Sequence, residues 1–548
     1  MVNNSTVVAR AIVEELINSG MRHAVIAPGS RSAPVAWALA QAEQAGLIKL
    51  HVRIDERDAG FLALGISKAT KQLVAVVVTS GTAVANLYPA VVEAYQSGIS
   101  LVVISADRPS DSRGTTAPQT ILQTNFFNGY VNAAIDLDCS DGLNHRLLVS
   151  GLFREAQTPR RGPVQLNVQF ALPLLPEAHE LSWQPEVNFH EPILPIQSIP
   201  ENLELPSHGL VIVGDVDDDA ASLGAGKLAQ ELGWPLIWEP TSGAQDCENA
   251  LSHGVLLLSA QGVPQIEAVI TVGTVGLSRS VLKLLQTTPV YYAVHLDSAG
   301  PAIPNPVNGA ARVLGRIPTA SCAVDETWLK IWRAADAVAH EEVEAALEGN
   351  TLTGPSVARK IWSFAKDQLV VSASWPVRHL EAYASTRADL RVLGNRGANG
   401  IDGLISTAWG VASTSNERTY LLIGDIAFLH DVGGLNVAQD EQMPNLTIVV
   451  IDNDGGGIFS QLEQASPTYS EHYERIFGTP HGKDLWVVAE ALGIAATRVT
   501  TMDELSRILS ANERIPGVHV IVCSTGSRVF EAQLVGDIST SVSQKAWK

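Results

Sequence analysis

The sequence predicts an α/β protein made of doubly wound parallel sheets, on three observations. Apolar runs of strand length, such as Leu73–Val78, Leu101–Ser105 and Leu446–Ile451, alternate with helical-length segments, the pattern of a parallel sheet covered on both faces. Several of these runs end in turns rich in Gly, Ser, Asp or Arg, where open parallel sheets bind ligands. The 548 residues, 46% hydrophobic and 17% charged, are enough for roughly two to four domains with ample core.

Composition narrows the function classes. The longest apolar runs are strand-sized and far short of a membrane span, so no membrane insertion is expected. The first residues, MVNNSTVVARAIVEEL, read directly into an amphipathic helix with no signal or transit pattern, which predicts a cytoplasmic protein. Cys139, Cys247, Cys322 and Cys523 lie far apart without metal-ligand spacing, as in a reducing compartment. A net charge of −20 argues against nucleic acid or an anionic membrane as partner. Anionic substrates would have to be drawn by a few local arginines, because the global field repels them.

The first domain is expected over residues 1–175. A helix over 5–19 leads to strand His23–Ala27, the turn Pro28-Gly29-Ser30-Arg31-Ser32 and a helix from Ala33. Strand Lys49–Arg53 is followed by Ile54-Asp55-Glu56-Arg57-Asp58-Ala59-Gly60 and a helix to Ala69. Strand Leu73–Val78 meets the turn Thr79-Ser80-Gly81-Thr82. After a further helix, strand Leu101–Ser105 ends in Ala106-Asp107-Arg108-Pro109. From 171 to 206 the chain carries seven prolines (173, 176, 185, 192, 195, 200 and 206), and 176–206 reads as a linker wrapped over the surface. A central α/β domain follows over 207–335, opening with Gly209–Val213 and closing near Asp325. Its turn Gly214–Asp219 is too acidic to cradle a phosphate, and no GxGxxG follows a strand, so no dinucleotide site is expected. A helix-rich stretch from Glu326 to Glu348 and a second linker, 336–355, lead to a third domain over 356–548.

First and third domains share a plan. Gly60–Ala69 (GFLALGISKA) and Gly403–Ala412 (GLISTAWGVA) are similar small-residue helices, each followed by an apolar strand, a Gly-containing turn, a helix and another apolar strand. Either the domain is duplicated, or any two doubly wound domains look this way. In the third domain the strand ending in Gly424-Asp425 and the one ending in Asp452-Asn453-Asp454-Gly455 stand one crossover unit apart. Asp425 and Asn453 are hard oxygen donors that can meet on one Mg²⁺ or Ca²⁺; the bland alternative is that they cap helices.

These turns resemble the thiamine diphosphate (ThDP) enzymes. Gly424-Asp425 with Asp452–Gly455 is similar to their diphosphate and metal motif, with Ile426 where a glycine is usual. APGSRSAP (27–34), DERDAGFLALGISK (55–68), VTSGTAVANLYPAVVEA (78–94), ADRP (106–109), NRGANGIDG (395–403) and DNDGGGIFS (452–460) resemble one branch of that family, the 2-succinyl-5-enolpyruvyl-6-hydroxy-3-cyclohexene-1-carboxylate (SEPHCHC) synthases of menaquinone biosynthesis. The middle domain matches loosely. The resemblance implies a pyrimidine-binding first domain, a central domain and a diphosphate-binding third domain. It places the cofactor between the first domain of one subunit and the third of another, in a homodimer or homotetramer. It implies Mg²⁺, with Mn²⁺ as an alternative, on Asp425, Asn453 and the Gly455 carbonyl. Ser80, Gly81, Gly424, Ile426, Gly456, Ile458 and Phe459 would also line the cofactor, and Ile401 would hold it bent.

The implied reaction decarboxylates 2-oxoglutarate and adds the resulting succinyl carbanion to isochorismate in a conjugate 1,4-addition. ThDP needs a carboxyl at its pyrimidine N1′; by resemblance this is Glu56, with Asp55 and Asp58 close by. An apolar setting after the strand would raise its pKa. Each substrate carries two carboxylates, which arginine grips bidentately. The resemblance assigns Ser30, Arg31, Arg108 and Gln119 to isochorismate. Ser374, Arg396 and Arg279 fall to 2-oxoglutarate, Arg378 sits between the two, and Ile458 with Phe459 forms an apolar wall; Arg378 and Arg396 join Glu56 as catalytic residues. Pro118 stands where relatives can carry Asn. His51, His430 and His472 are expected to be structural or surface residues. The alternatives are another ThDP-dependent 2-oxo acid decarboxylase or acetohydroxyacid synthase-like enzyme, or a non-catalytic cofactor-binding subunit.

Overall fold

A computed structural model describes residues 3–139, 145–178, 181–190, 198–296 and 299–548; Pro192 and Pro195 of the expected linker lie outside the described residues. The first sheet holds β1 (His23–Ile26), β2 (Lys49–Val52), β3 (Val74–Val78), β4 (Leu101–Asp107), β5 (Ala133–Asp138) and β6 (Val164–Gln169), in the order β2-β1-β3-β4-β6-β5. Next come β7 (Asn202–Glu204), β8 (Gly209–Val213), β9 (Leu236–Trp238), β10 (Ala268–Val272), β11 (Val290–Val294), β12 (Arg312–Leu314) and β13 (Thr319–Ser321). The central sheet runs β12-β11-β10-β8-β9, and β7 pairs with β13 alone. The third sheet holds β14 (Asp367–Val371), β15 (Leu390–Leu393), β16 (Thr419–Gly424), β17 (Leu446–Asp452), β18 (Ala495–Val499) and β19 (Val518–Ser524), in the order β15-β14-β16-β17-β19-β18. Strand for strand this repeats the first sheet. The pairings in both are parallel, and β3 and β4 are buried along their whole length, which is why β3 and residues 101–104 of β4 read as unbroken apolar runs.

The two small-residue helices, Glu56–Thr70 and Leu404–Ala412, pack against each other. A Cβ on Gly65 would stand 2.1 Å from the Thr407 carbonyl oxygen, and one on Gly410 would stand 2.3 Å from that of Leu62, so only glycine permits this approach. The flanks are tied by polar bonds: Lys68 Nζ donates to the Gly394 carbonyl at 2.7 Å and Arg391 to that of Ala69 at 2.7 Å. First and third sheets consequently share one hydrophobic core.

Two local expectations change, and the acidic turn gains a role. The stretch read as a Pro-rich linker contains β7, whose three residues are too few to show alternation, and its Trp183 and Val187 pack on the first core. The boundary at 335/336 falls inside one helix, Glu326–Leu347, which buries Trp328, Trp332, Ala335, Ala339 and Val343 along one stripe. The acidic turn after β8 holds the central sheet to the first: Asp217 lies 3.6 Å from Lys71 Nζ and 3.1 Å from Arg161 Nη2. Among the described residues, no helix is long and apolar enough to cross a membrane.

Candidate active site

The register that sets Gly424 beside Ile451 brings the ends of β16 and β17 together. Asp425, 3% exposed, opens the short helix Asp425–His430. Its Oδ2 accepts the Asn453 and Gly455 amides at 3.2 and 2.8 Å, and among the described residues its Oδ1 accepts only that of Ile426, at 2.6 Å. Asn453 is 9% exposed; its Nδ2 donates to Glu531 Oε2 at 2.9 Å, while its Oδ1 is buried with no partner among the described residues. Gly455 has φ +138°, and a Cβ there would stand 2.1 Å from the Gly478 carbonyl oxygen. A buried orphan oxygen beside a buried carboxylate is a donor set that suits a hard divalent cation. These residues fit the cation and diphosphate that the resemblance implies.

A cavity of about 340 Å³ opens on this turn. Ser374, Arg378, Ile401, Gly424, Asp425, Ile426, Asn453, Gly455, Gly456, Ile458 and Phe459 all line it. Ser374 takes φ +70°, and its carbonyl accepts Arg378 Nη1 at 2.8 Å, aiming the guanidinium along the wall. Burial lowers the Arg378 pKa, with Glu381 acting against it.

The first-sheet residues gather elsewhere, at the ends of β1, β3 and β4. Arg31 Nη1 donates to the Phe170 carbonyl at 2.8 Å, and burial and then Arg108 lower its pKa. Arg108 donates to the Pro118 carbonyl from Nε and Nη2 at 3.0 and 2.8 Å; Pro118 thus braces an arginine through its backbone. Gln119, with φ +59°, donates to the Ser80 carbonyl at 3.1 Å, and the Gly81 amide donates to Gln123 Oε1 at 2.9 Å. Ser30 is exposed. Glu56 is half-buried at the start of its helix and accepts Asn86 Nδ2 at 3.2 Å. The apolar enclosure expected around Glu56 is absent within the chain, because Ile54 beside it points out, 56% exposed. None of these residues lines the third-sheet cavity.

Arg396 and Arg279 form a third group. Arg396 is buried and lines a crevice of about 60 Å³ with Gln96, Asp215 and His295. Arg279 is the first residue of a helix capped by Ser278. Glu239 of the central sheet accepts the Gly276 and Leu277 amides at 2.8 and 2.9 Å and faces Arg396, so it joins the turn carrying Arg279 to the third-sheet arginines. Burial, then Glu239, holds the Glu381 carboxyl well above the carboxylate range.

Sequence reasoning missed Glu239 and Glu381, whose roles come from packing between blocks. It also missed Trp375, which lines the cavity, and His481, which lies against Asp425 and Asp452; the TPHG stretch (479–482) carries no apolar periodicity to place it. Asp58, set aside beside Glu56, is buried and pairs with Asp431, the carboxyls being pushed up to about 7 and about 6, by burial first. Of the histidines left without a role, His51 is buried with its Nε2 3.2 Å from His23 Nδ1, and the His430 carbonyl accepts Arg57 at 3.0 Å.

Comparison with known proteins shows the family. Residues 6–126 match the N-terminal TPP binding domain of thiamine pyrophosphate enzymes, and residues 377–523 match their C-terminal TPP binding domain. The chain is 41% identical over 530 residues to the SEPHCHC synthase of Thermobifida fusca (strain YX), covering 92% of this chain and 94% of the relative. The chain belongs to the SEPHCHC synthase family. Similar SEPHCHC synthases come from Kineococcus radiotolerans, 40% identical over 95% of each chain, and Paenarthrobacter aurescens, 37% identical over 98% of this chain and 97% of the relative. The two family models divide as the two residue groups do. Glu56, Arg31, Arg108 and Gln119 fall in one, and Asp425, Asn453 and Gly455 in the other, while Arg279 falls between them.

Proposed function

We propose that the chain is a ThDP- and Mg²⁺-dependent transferase that decarboxylates 2-oxoglutarate and joins the remaining four-carbon unit to isochorismate, giving SEPHCHC and CO₂. The observation that carries this reading is the cavity in which Arg378 and Ser374 share a wall with Asp425, Asn453 and Gly455. Asp425, Asn453 and the Gly455 carbonyl would hold the divalent cation, Mn²⁺ being the alternative, with the diphosphate against Gly456 and Ile426. Bound ThDP supplies the electron sink for decarboxylation. Glu56 holds a proton at the pyrimidine N1′. Arg378 and Arg396 bind and orient 2-oxoglutarate carboxylates, with Arg279 brought in by the Glu239 brace; Arg31, Arg108, Gln119 and Ser30 do the same for isochorismate. Ile458 and Phe459 keep water from the reacting carbon.

Because the Glu56 group and the Asp425 cavity stand apart within one chain, the working site is read as forming between two protomers, as a homodimer or a pair of such dimers. The test incubates the protein with ThDP and Mg²⁺ and follows product mass and CO₂ from 2-oxoglutarate or pyruvate, with and without isochorismate. SEPHCHC formed from 2-oxoglutarate and isochorismate is expected. Equal turnover of pyruvate would favour the simpler decarboxylase reading.

A further inference from the structure

His481 has no part in the reading above, yet it reaches the cation turn. It follows the short turn Glu474–Gly478, which lies over the diphosphate glycines, with the Gly456 amide donating to the Gly478 carbonyl at 2.8 Å. The backbone at His481 is pinned independently of its ring: the His481 and Gly482 amides both donate to Asp454 Oδ1, at 2.9 and 2.8 Å. The ring is 7% exposed. Its Nδ1 accepts the Lys483 amide at 3.0 Å, which puts the ring proton on Nε2. That Nε2 stands 3.5 Å from Asp425 Oδ2 and 3.5 Å from Asp452 Oδ1 and has no hydrogen-bond partner among the described residues, so it faces both carboxylates without being committed to either.

The two oxygens of Asp425 are not equivalent. Oδ2 takes the Asn453 and Gly455 amides and faces His481; among the described residues, Oδ1 takes only the adjacent amide of Ile426. A protonated ring nitrogen cannot ligate a metal. Oδ1 is therefore the atom left for the cation, with His481 on the opposite side of the carboxylate.

We propose that His481 is a positioning residue of the cation site, its Nε2–H shared between Asp425 and Asp452 so that Asp425 turns Oδ1 to the metal. Without the ring, two carboxylates face each other with no donor between them, and Asp425 is held by backbone amides alone. Outer partners that orient a ligating group commonly carry a tenfold to hundredfold share of metal affinity. This inference rests on the reading that Asp425, Asn453 and the Gly455 carbonyl hold the cation.

The test is calorimetric titration of Mg²⁺ into the chelator-treated full-length protein with ThDP present. His481→Ala is expected to weaken Mg²⁺ binding by about tenfold to a hundredfold while the metal-free protein keeps its unfolding midpoint. His481→Gln, whose amide N–H reaches the same place, is expected to recover most of the affinity, and it carries the test if the alanine variant melts early. Unchanged binding in His481→Ala, or equal weakening in both variants, would overturn the proposal. Tighter binding would do so too, by putting the ring in the cation's own place. Asp425→Ala in the same titration separates the two levels. Intact Mg²⁺ binding there sinks the cation site itself; lost binding there with none lost in His481→Ala sinks only this inference.

Discussion

The first and third sheets run six strands in the same order, but their strand ends differ in kind. In the third sheet, the turns after β16 and β17 close on a buried carboxylate and an amide oxygen unpartnered among the described residues, beside a cavity of about 340 Å³. In the first, the turns form an open rim of Arg31, Arg108 and Gln119 braced by backbone carbonyls, with Glu56 half-exposed to one side. Topology sets where a site can stand, and the turn residues set what it can hold. Under the proposed function, one copy takes a cation and a diphosphate, the other carboxylates and a pyrimidine, and neither is complete alone.

The sharpest way to break this comparison is to disable each half separately. Glu56→Gln is expected to lower turnover on the order of 10²–10⁴-fold with ThDP affinity by calorimetry little changed; full activity would remove Glu56 from its role. If the halves come from different protomers, mixing refolded Glu56→Gln and Asp425→Ala chains should restore about a quarter of the sites through random pairing. No recovery would mean each chain supplies both halves itself.

Gly455→Ala probes the closed turn. A Cβ so close to the Gly478 carbonyl, on a left-handed backbone, is expected to weaken ThDP binding by about tenfold or more and to leave the first-sheet rim untouched. Arg108→Ala probes the open rim. Its KM for isochorismate should rise by roughly tenfold, with the KM for 2-oxoglutarate unchanged; a rise in both would mean the rim does not discriminate.

The smallest effect concerns stability where the halves touch. Asp58, on the Glu56 helix, pairs with Asp431, which follows the Asp425 helix, and both carboxyls titrate above their ordinary value, at about 7 and about 6. Arg57 is the cation facing both, 3.9 Å from Asp58 and 4.0 Å from Asp431. A carboxyl raised on folding contributes stability that is fullest below its unfolded pKa of about 4 and is lost as pH rises through the folded value. The thermal midpoint should therefore carry a loss between pH 5 and pH 8 that Asp58→Asn reduces. Equal losses in parent and variant would assign the dependence to other groups.

The parts of this architecture legible in the sequence were those written locally. β3 is fully apolar and β4 and β17 largely so because they are buried on both faces, and Asp425 and Asn453 stand out because each follows an apolar run. Residues whose role comes from distant packing were not legible. Glu239 works through a turn on another strand and an arginine of another block, and His481 sits in an irregular stretch of short turns. β7 spans three residues, too short for a period. The two small-residue helices were read as copies of one plan; their likeness also lets each lie in the other's groove, a fact that no window along the chain contains.

That contact limits motion. Backbones meeting at Gly65 and Gly410 leave no side-chain layer to absorb sliding, which predicts that the helix headed by Glu56 and the block bearing Asp425 move together, as a lever. If, as proposed, the two ends of that lever serve different pockets, a shift imposed at one vitamin is delivered mechanically to the other. A bulky residue at either glycine would then disturb both pockets while touching neither.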